Sequence, residues 1–358
     1  MKDAYLLLSK KLDALPNGFP PTSDGAELRL LAKIFSPAEA ELAVYLSEIP
    51  QTADQVAGQI GADTIVKDVQ ERLKIMTRKG LIEAVKLEQG LAFQLMPFVV
   101  GIYEAQIGRI DEEMARLFED YYLEVFGEAL KIQPTFHRVV PVNENVQNNI
   151  EVHPYESATG IVDAAQSWGV IDCICRTQKA LIGEACEHPI DVCMVLSPYP
   201  DMFDKNSFIR AMTHEQAHST LQRAASAGLV HTVSNRQKGT WYICNCCTCS
   251  CGILRGIADL GVANAVAKSP FVNTIDPDLC VVCEVCLPYC QFDALELEEG
   301  NTQVNTQHCM GCGVCVPACP EDALMLVRRP SEELMPLPKD FTDWAALRSA
   351  ARGLGPTA

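Results

Sequence analysis

The chain of 358 residues contains 17 cysteines, and their spacing is the first sign of chemistry. Eight of them fall in two runs of one pattern, Cys280-x-x-Cys283-x-x-Cys286-x-x-x-Cys290 and Cys309-x-x-Cys312-x-x-Cys315-x-x-x-Cys319. The residues after each run also match: Gln291-Phe292-Asp293-Ala294-Leu295 after the first, Pro320-Glu321-Asp322-Ala323-Leu324 after the second. Thiols this closely spaced aim at a common centre, which suits a metal better than a set of disulfides. Three thiolates on one short loop wrap three corners of an iron–sulfur cubane, and the paired spacing is far more specific for that than for structural zinc.

The other nine cysteines are Cys173, Cys175, Cys186, Cys193, Cys244, Cys246, Cys247, Cys249 and Cys251. On a strand, Cys244 and Cys246 share one face and Cys247, Cys249 and Cys251 the other, so the run is expected to bend around metal as a loop. Crowded thiolates are costly unless a cation neutralises them. Nine ligands suit two further clusters with one thiol left over, one unusual cluster, or one cluster beside a zinc site. At least one additional iron–sulfur centre is the expectation, with Cys186 and Cys193 also fitting as buried apolar thiols. Arg176, beside Cys175, is placed to balance cluster charge or bind an anion, or simply to form a salt bridge.

His214-Glu215-Gln216-Ala217-His218 matches H-E-x-x-H, which on a helix sets two imidazoles on one face. No third ligand stands downstream, and Thr213 and Gln216 already form a capping box, so the match reads as chance. The sequence has no glycine-rich dinucleotide turn after a strand, no phosphate loop and no nucleophile elbow, and it names no catalytic residue. Flavin or nicotinamide chemistry is left to another protein.

The repeated cysteine run resembles a bacterial ferredoxin domain with two 4Fe–4S clusters. That resemblance implies one cluster on Cys280, Cys283, Cys286 and Cys319 and the other on Cys309, Cys312, Cys315 and Cys290. Gln291 stands where the pattern has proline, and Val282 and Glu284 stand where the second loop has Gly311 and Gly313. The glycines allow close approach to a cluster, so the two sites are expected to differ in hydrogen bonding and potential.

The elements that position these residues read as α+β in several domains. Residues 1–100 form a winged-helix-like domain: Ser36-Pro37-Ala38-Glu39 and Thr52-Ala53-Asp54-Gln55 are capping boxes, Asp63 is placed to cap a third helix with Ile65, Val66, Val69, Leu73 and Met76 on one face, and 81–87 with 91–95 make a hairpin. Residues 101–134 read as a linking amphipathic helix whose aromatic stripe is core. Residues 135–268 are a cysteine-rich α+β domain with a strand through Gly169–Cys175, a helix from Thr213 to Ala227 and a strand at Trp241–Cys244. Residues 269–330 are the ferredoxin region and 331–358 a tail with one short helical candidate. The third helix has only a modest basic excess, which favours protein contact over DNA.

The chain resembles larger iron–sulfur proteins of anaerobic bacteria built in this order. The N-terminal segment lacks a secretory leader and no window spans a bilayer, so the expectation is cytoplasmic. Net charge is −17, and residues 270–330 carry nine acids against two arginines, which suits a redox partner with a basic docking surface and disfavours nucleic acid. The leading expectation is an electron-transfer protein or subunit of a redox complex. The alternatives are an iron–sulfur oxidoreductase acting at the middle centre and a redox-sensing winged-helix regulator.

Overall fold

A computed structural model describes residues 2–141, 152–206 and 208–355 as a mixture of helix and sheet. The chain divides into two compact units, residues 1–132 with 178–184 and 346–358, and residues 133–177 with 185–345. Among the described residues no helix is long and apolar enough to cross a membrane.

In the first unit, Pro37–Ala43 is a helix whose Ser36 N–H donates to Glu39, and Ala53–Ile60 is a helix capped by Thr52 and Gln55. The next helix begins at Val66, not at Asp63. The Thr64 N–H donates to the Gly61 carbonyl, and this turn holds Asp63 ahead of the cap position, which Ile65 takes in extended backbone. Ile65 is 63% exposed, so the buried stripe is Val69, Leu73 and Met76. Strands Glu83–Leu87 and Gly90–Gln94 pair antiparallel, and Gln51–Thr52 adds to the outer edge of Gly90–Gln94.

The stretch after residue 101 is not one helix. Gly108 takes a left-handed turn with φ 80°, and the helix Glu112–Tyr121 starts afresh where the Asp111 carboxylate accepts the Met114 N–H. Its aromatic residues are core as expected, with Tyr103 and Phe118 stacked at 3.7 Å between ring centroids. The C-terminal segment ends in the helix Phe341–Ala351. From it the fully buried Arg348 donates to the carbonyls of Pro16, Ala129 and Ile132, which anchors it within the unit.

The second unit is built on a six-stranded antiparallel sheet. Its order is His137–Val139, Val230–Ser234, Tyr242–Cys246, Cys193–Ser197, Ser167–Ile171 and Arg210–Met212. Helices Ala158–Asp163 and His214–Ser226 cover one face and bury Ile161, Val162, Ala217 and Leu221 against Leu196 and Ile243. The strand expected through Cys175 stops at Ile171, because a helix opens at Ile174 and carries Cys175 in its first turn. Two small ladders complete the unit: Phe271–Ile275 with Leu324–Arg328, and Leu295–Glu298 with Asn301–Val304.

Candidate metal centres

The two cysteine runs near the C-terminus cross over. Cys280, Cys283, Cys286 and Cys319 line one cavity, together with Val281, Glu284 and Pro320. Cys309, Cys312 and Cys315 gather instead with Cys290. The crossing follows from the ladder between Phe271–Ile275 and Leu324–Arg328, which returns the second run beside the first. Each fourth cysteine accepts an N–H from four residues on: Ala294 to Cys290 at 3.2 Å and Ala323 to Cys319 at 3.3 Å. Asn273 adds its side-chain amide to Cys315 at 3.2 Å and its N–H to Cys309 at 3.5 Å. Such donors stabilise thiolates over thiols.

Burial pushes the Cys312 thiol up to about 12 and raises Cys315 and Cys286. Thiolates held there need a cation, and four donors of this class arranged around one point fit an iron–sulfur cube. The Asn273 amide oxygen is buried without a partner among the described residues. The loops also match in backbone, since Gly311 and Gly313 have φ of 66° and 74° and Val282 and Glu284 have 55° and 61°. A Cβ on Gly311 would meet the Phe271 carbonyl at 2.1 Å, so glycine is required there by space as well as by φ. At Val282, a branched side chain accepts the left-handed conformation at a cost of about 1–3 kcal/mol.

The nine middle cysteines separate into two sets. Six form a closed ring of neighbours: Cys173 contacts Cys175 and Cys193, Cys193 contacts Cys244, Cys244 contacts Cys246, Cys246 contacts Cys251, and Cys251 contacts Cys175. The sheet sets this up. Strand register pairs Met194 with Ile243, so Cys193 sits across from Cys244, while Cys244 and Cys246 point to one face. Cys173 comes just after the end of the strand Ser167–Ile171, whose last residue pairs with Cys193. Cys251 lies in the turn after Cys246, where its N–H donates to the Cys247 carbonyl.

Arg176 is 3% exposed beside the ring. One of its nitrogens donates to the Asn245 carbonyl at 2.9 Å and approaches the Cys247 sulfur at 3.8 Å, while Nε and Nη2 are buried with no partner among the described residues. Burial opposes its charge, yet the thiolates of Cys173, Cys193 and Cys247 hold its pKa up. A buried guanidinium with two orphaned N–H donors calls for an anion, and an iron–sulfur cluster with thiolate ligands is one.

The remaining three thiols, Cys186, Cys247 and Cys249, meet His188, with all four ligand atoms within 4.8 Å of one another. The Ser250 hydroxyl lies 3.5 Å from the Cys186 sulfur and 3.8 Å from the Cys249 sulfur, so its one proton is available to either. A hydrogen bond from Cys249, against the opposing effect of burial, and the nearby Arg176 lower the pKa of the Cys247 thiol. Gln291 links this turn to the C-terminal runs: it accepts the Thr248 N–H at 2.7 Å and donates to the Gly228 carbonyl.

A family model described as a 4Fe-4S binding domain matches residues 302–325, which include Cys309, Cys312, Cys315 and Cys319. This segment is similar to 4Fe-4S binding domains. It indicates at least one 4Fe–4S cluster and, in general, a role in electron transfer, which in turn implies a redox partner. No curated protein and no solved structure matches the chain. This match was legible in the sequence because its cysteines are separated by only two or three intervening residues. His188 was not: a single histidine between two cysteines carries no spacing signal until the chain is folded.

Proposed function

We propose that the protein is an electron-transfer protein, or a subunit of a cytoplasmic redox complex, with two ferredoxin-type 4Fe–4S clusters and a third iron–sulfur centre in the six-thiol ring. Cys280, Cys283, Cys286 and Cys319 hold one cluster, and Cys309, Cys312, Cys315 and Cys290 the other. Cys173, Cys175, Cys193, Cys244, Cys246 and Cys251 supply the ligands of the third, with Arg176 balancing its charge. Bound clusters of this kind take up and release single electrons. Cys186, His188, Cys247 and Cys249 make a separate four-ligand site, since atoms within 4.8 Å of one another surround one tetrahedral ion better than a cube.

The observation that carries this reading is Gln291. It is next to the cluster ligand Cys290, and its side chain bonds the backbone between Cys247 and Cys249. The residue that departs from the ferredoxin pattern is therefore the one that fastens the C-terminal cysteine runs to the middle cysteines. The turn it holds also ends in the ring ligand Cys251, whose N–H donates to the Cys247 carbonyl, so the join fixes Cys290 relative to the ring.

The helix, strand, helix, helix, hairpin order of residues 37–94 supports a winged-helix reading, used for protein contact. Lys79 pairs with Glu39 at 2.6 Å and Lys74 with Glu71 at 2.9 Å, which reduces the positive face of the third helix. The acidic 270–330 region supplies the docking surface for a basic partner.

Anaerobic coulometric titration of the cluster-loaded protein tests the reading. Three or more electron equivalents per chain are expected, taken up in single steps. An endpoint at two would leave the ring without a redox centre.

A further inference from the structure

The H-E-x-x-H match, which reads as chance in the sequence for want of a third ligand, acquires one from upstream. Asp163 ends the helix Ala158–Asp163, and its Oδ1 lies 2.8 Å from His214 Nε2 and 2.8 Å from His218 Nε2, with the two imidazole nitrogens 3.2 Å apart. Ligands held about 2.0–2.1 Å from a divalent ion are separated by roughly 2.9 Å in an octahedron and 3.3 Å in a tetrahedron. The three observed edges match that scale.

Rigid elements produce the convergence. The two helices pack through Val162, Ala217 and Leu221, and His214 and His218 share a face one turn apart. Trp168 meets the His214 ring edge-on at 5.2 Å and donates from Nε1 to the Val162 carbonyl at 2.9 Å, next to Asp163. Without a metal, both imidazoles must share one carboxylate oxygen while their nitrogens face each other. A cation takes all three lone pairs at once.

We propose that Asp163, His214 and His218 bind a first-row divalent metal ion, separate from every thiol site. Two nitrogens and one oxygen suit zinc or ferrous ion rather than a thiolate-bound centre. The side chains are 51%, 51% and 30% exposed for Asp163, His214 and His218, so water completes the coordination and can give way to a small oxygen- or nitrogen-donor ligand. Three protein ligands with open positions are the arrangement of metal sites that bind or activate small molecules.

The test is calorimetric titration of zinc into the full-length, cluster-loaded protein under anaerobic conditions. With the site of Cys186, His188, Cys247 and Cys249 filled beforehand by one equivalent of zinc, one further binding event per chain is expected, weakened tenfold or more in His218→Ala and in Asp163→Asn and unchanged in Glu215→Gln. Asp163 and Glu215 are exposed and His218 is half-buried, and an unaltered EPR spectrum of the reduced clusters verifies that each variant is folded. Wild-type protein that takes up no zinc beyond that first equivalent, or isotherms that are the same in wild type and both ligand variants, would overturn the proposal and leave the reading of the thiol centres untouched.

Discussion

The C-terminal cysteine runs and the middle cysteine region gather the same atom, the thiol sulfur, in opposite ways. In the first, each loop supplies three of its four cysteines from seven consecutive residues, and the protein's task is to set backbone N–H groups and left-handed turns around them. In the second, a strand end, a helix start, a neighbouring strand and a turn each bring one or two thiols, and the sheet register decides which thiols meet. The first is a local motif that tolerates a varied surrounding fold. The second exists only when a six-stranded sheet has formed, so its assembly is coupled to the folding of the unit.

Ligand removal gives the largest contrast. Cys175→Ser is predicted to remove the ring centre, a loss of about four iron per chain if it is a cube, with the reduced spectrum of the C-terminal clusters retained. Cys312→Ser is predicted to do the reverse. Iron analysis and EPR of each variant check this, and loss of both signals in either variant would break the separation of the two regions.

Backbone changes in the two cysteine loops come next, and they should leave the ring untouched. Gly311→Ala places a methyl group against the Phe271 carbonyl and is predicted to cost several kcal/mol or to prevent loading of that cluster. Val282→Gly removes left-handed strain but frees the unfolded chain, and is predicted to change stability by about 1 kcal/mol or less. Thermal unfolding of the two variants compares them.

Acid acts on the middle region through His137, in the first strand of the sheet. Burial lowers its pKa to about 4 from the ordinary 6.5. A histidine depressed in the folded state is protonated first in the unfolded chain, so stability is fully present above pH 6.5 and declines as pH falls toward 4, by up to about 3 kcal/mol. Chemical denaturation at pH 7 and pH 5 should show this loss, and His137→Gln should show less of it.

Charge balance gives a smaller effect than acid. Arg176→Met leaves the ring centre without its nearby cation, which disfavours the more negative reduced state. A fall in that centre's potential on the order of 60 mV, or tenfold in the redox equilibrium, is expected, with the ferredoxin-type clusters unmoved. Spectroelectrochemical titration reads both together.

The residues that were legible in advance are those whose partners are near in sequence. The cysteine runs, the capping boxes at Ser36 and Thr52, the hairpin and the helix from His214 needed no tertiary information. Asp63 failed as a cap because Gly61 begins a turn that competes for the same backbone. Cys173 and Cys175 alternate as they would on one strand, a spacing equally compatible with a strand that gives way to a helix. The split of nine thiols into six and three, the approach of His188, and the meeting of Asp163 with His214 and His218 depend on sheet register and helix packing, which leave no local pattern.

Whether the middle thiols hold a redox centre of their own is tested most directly by iron and acid-labile sulfide content per chain, measured on protein purified without oxygen. About twelve or more of each is predicted, with two cubes in the C-terminal runs and at least one more centre in the ring. About eight of each, with the ring thiols free to react with an alkylating agent in the folded protein, would contradict it.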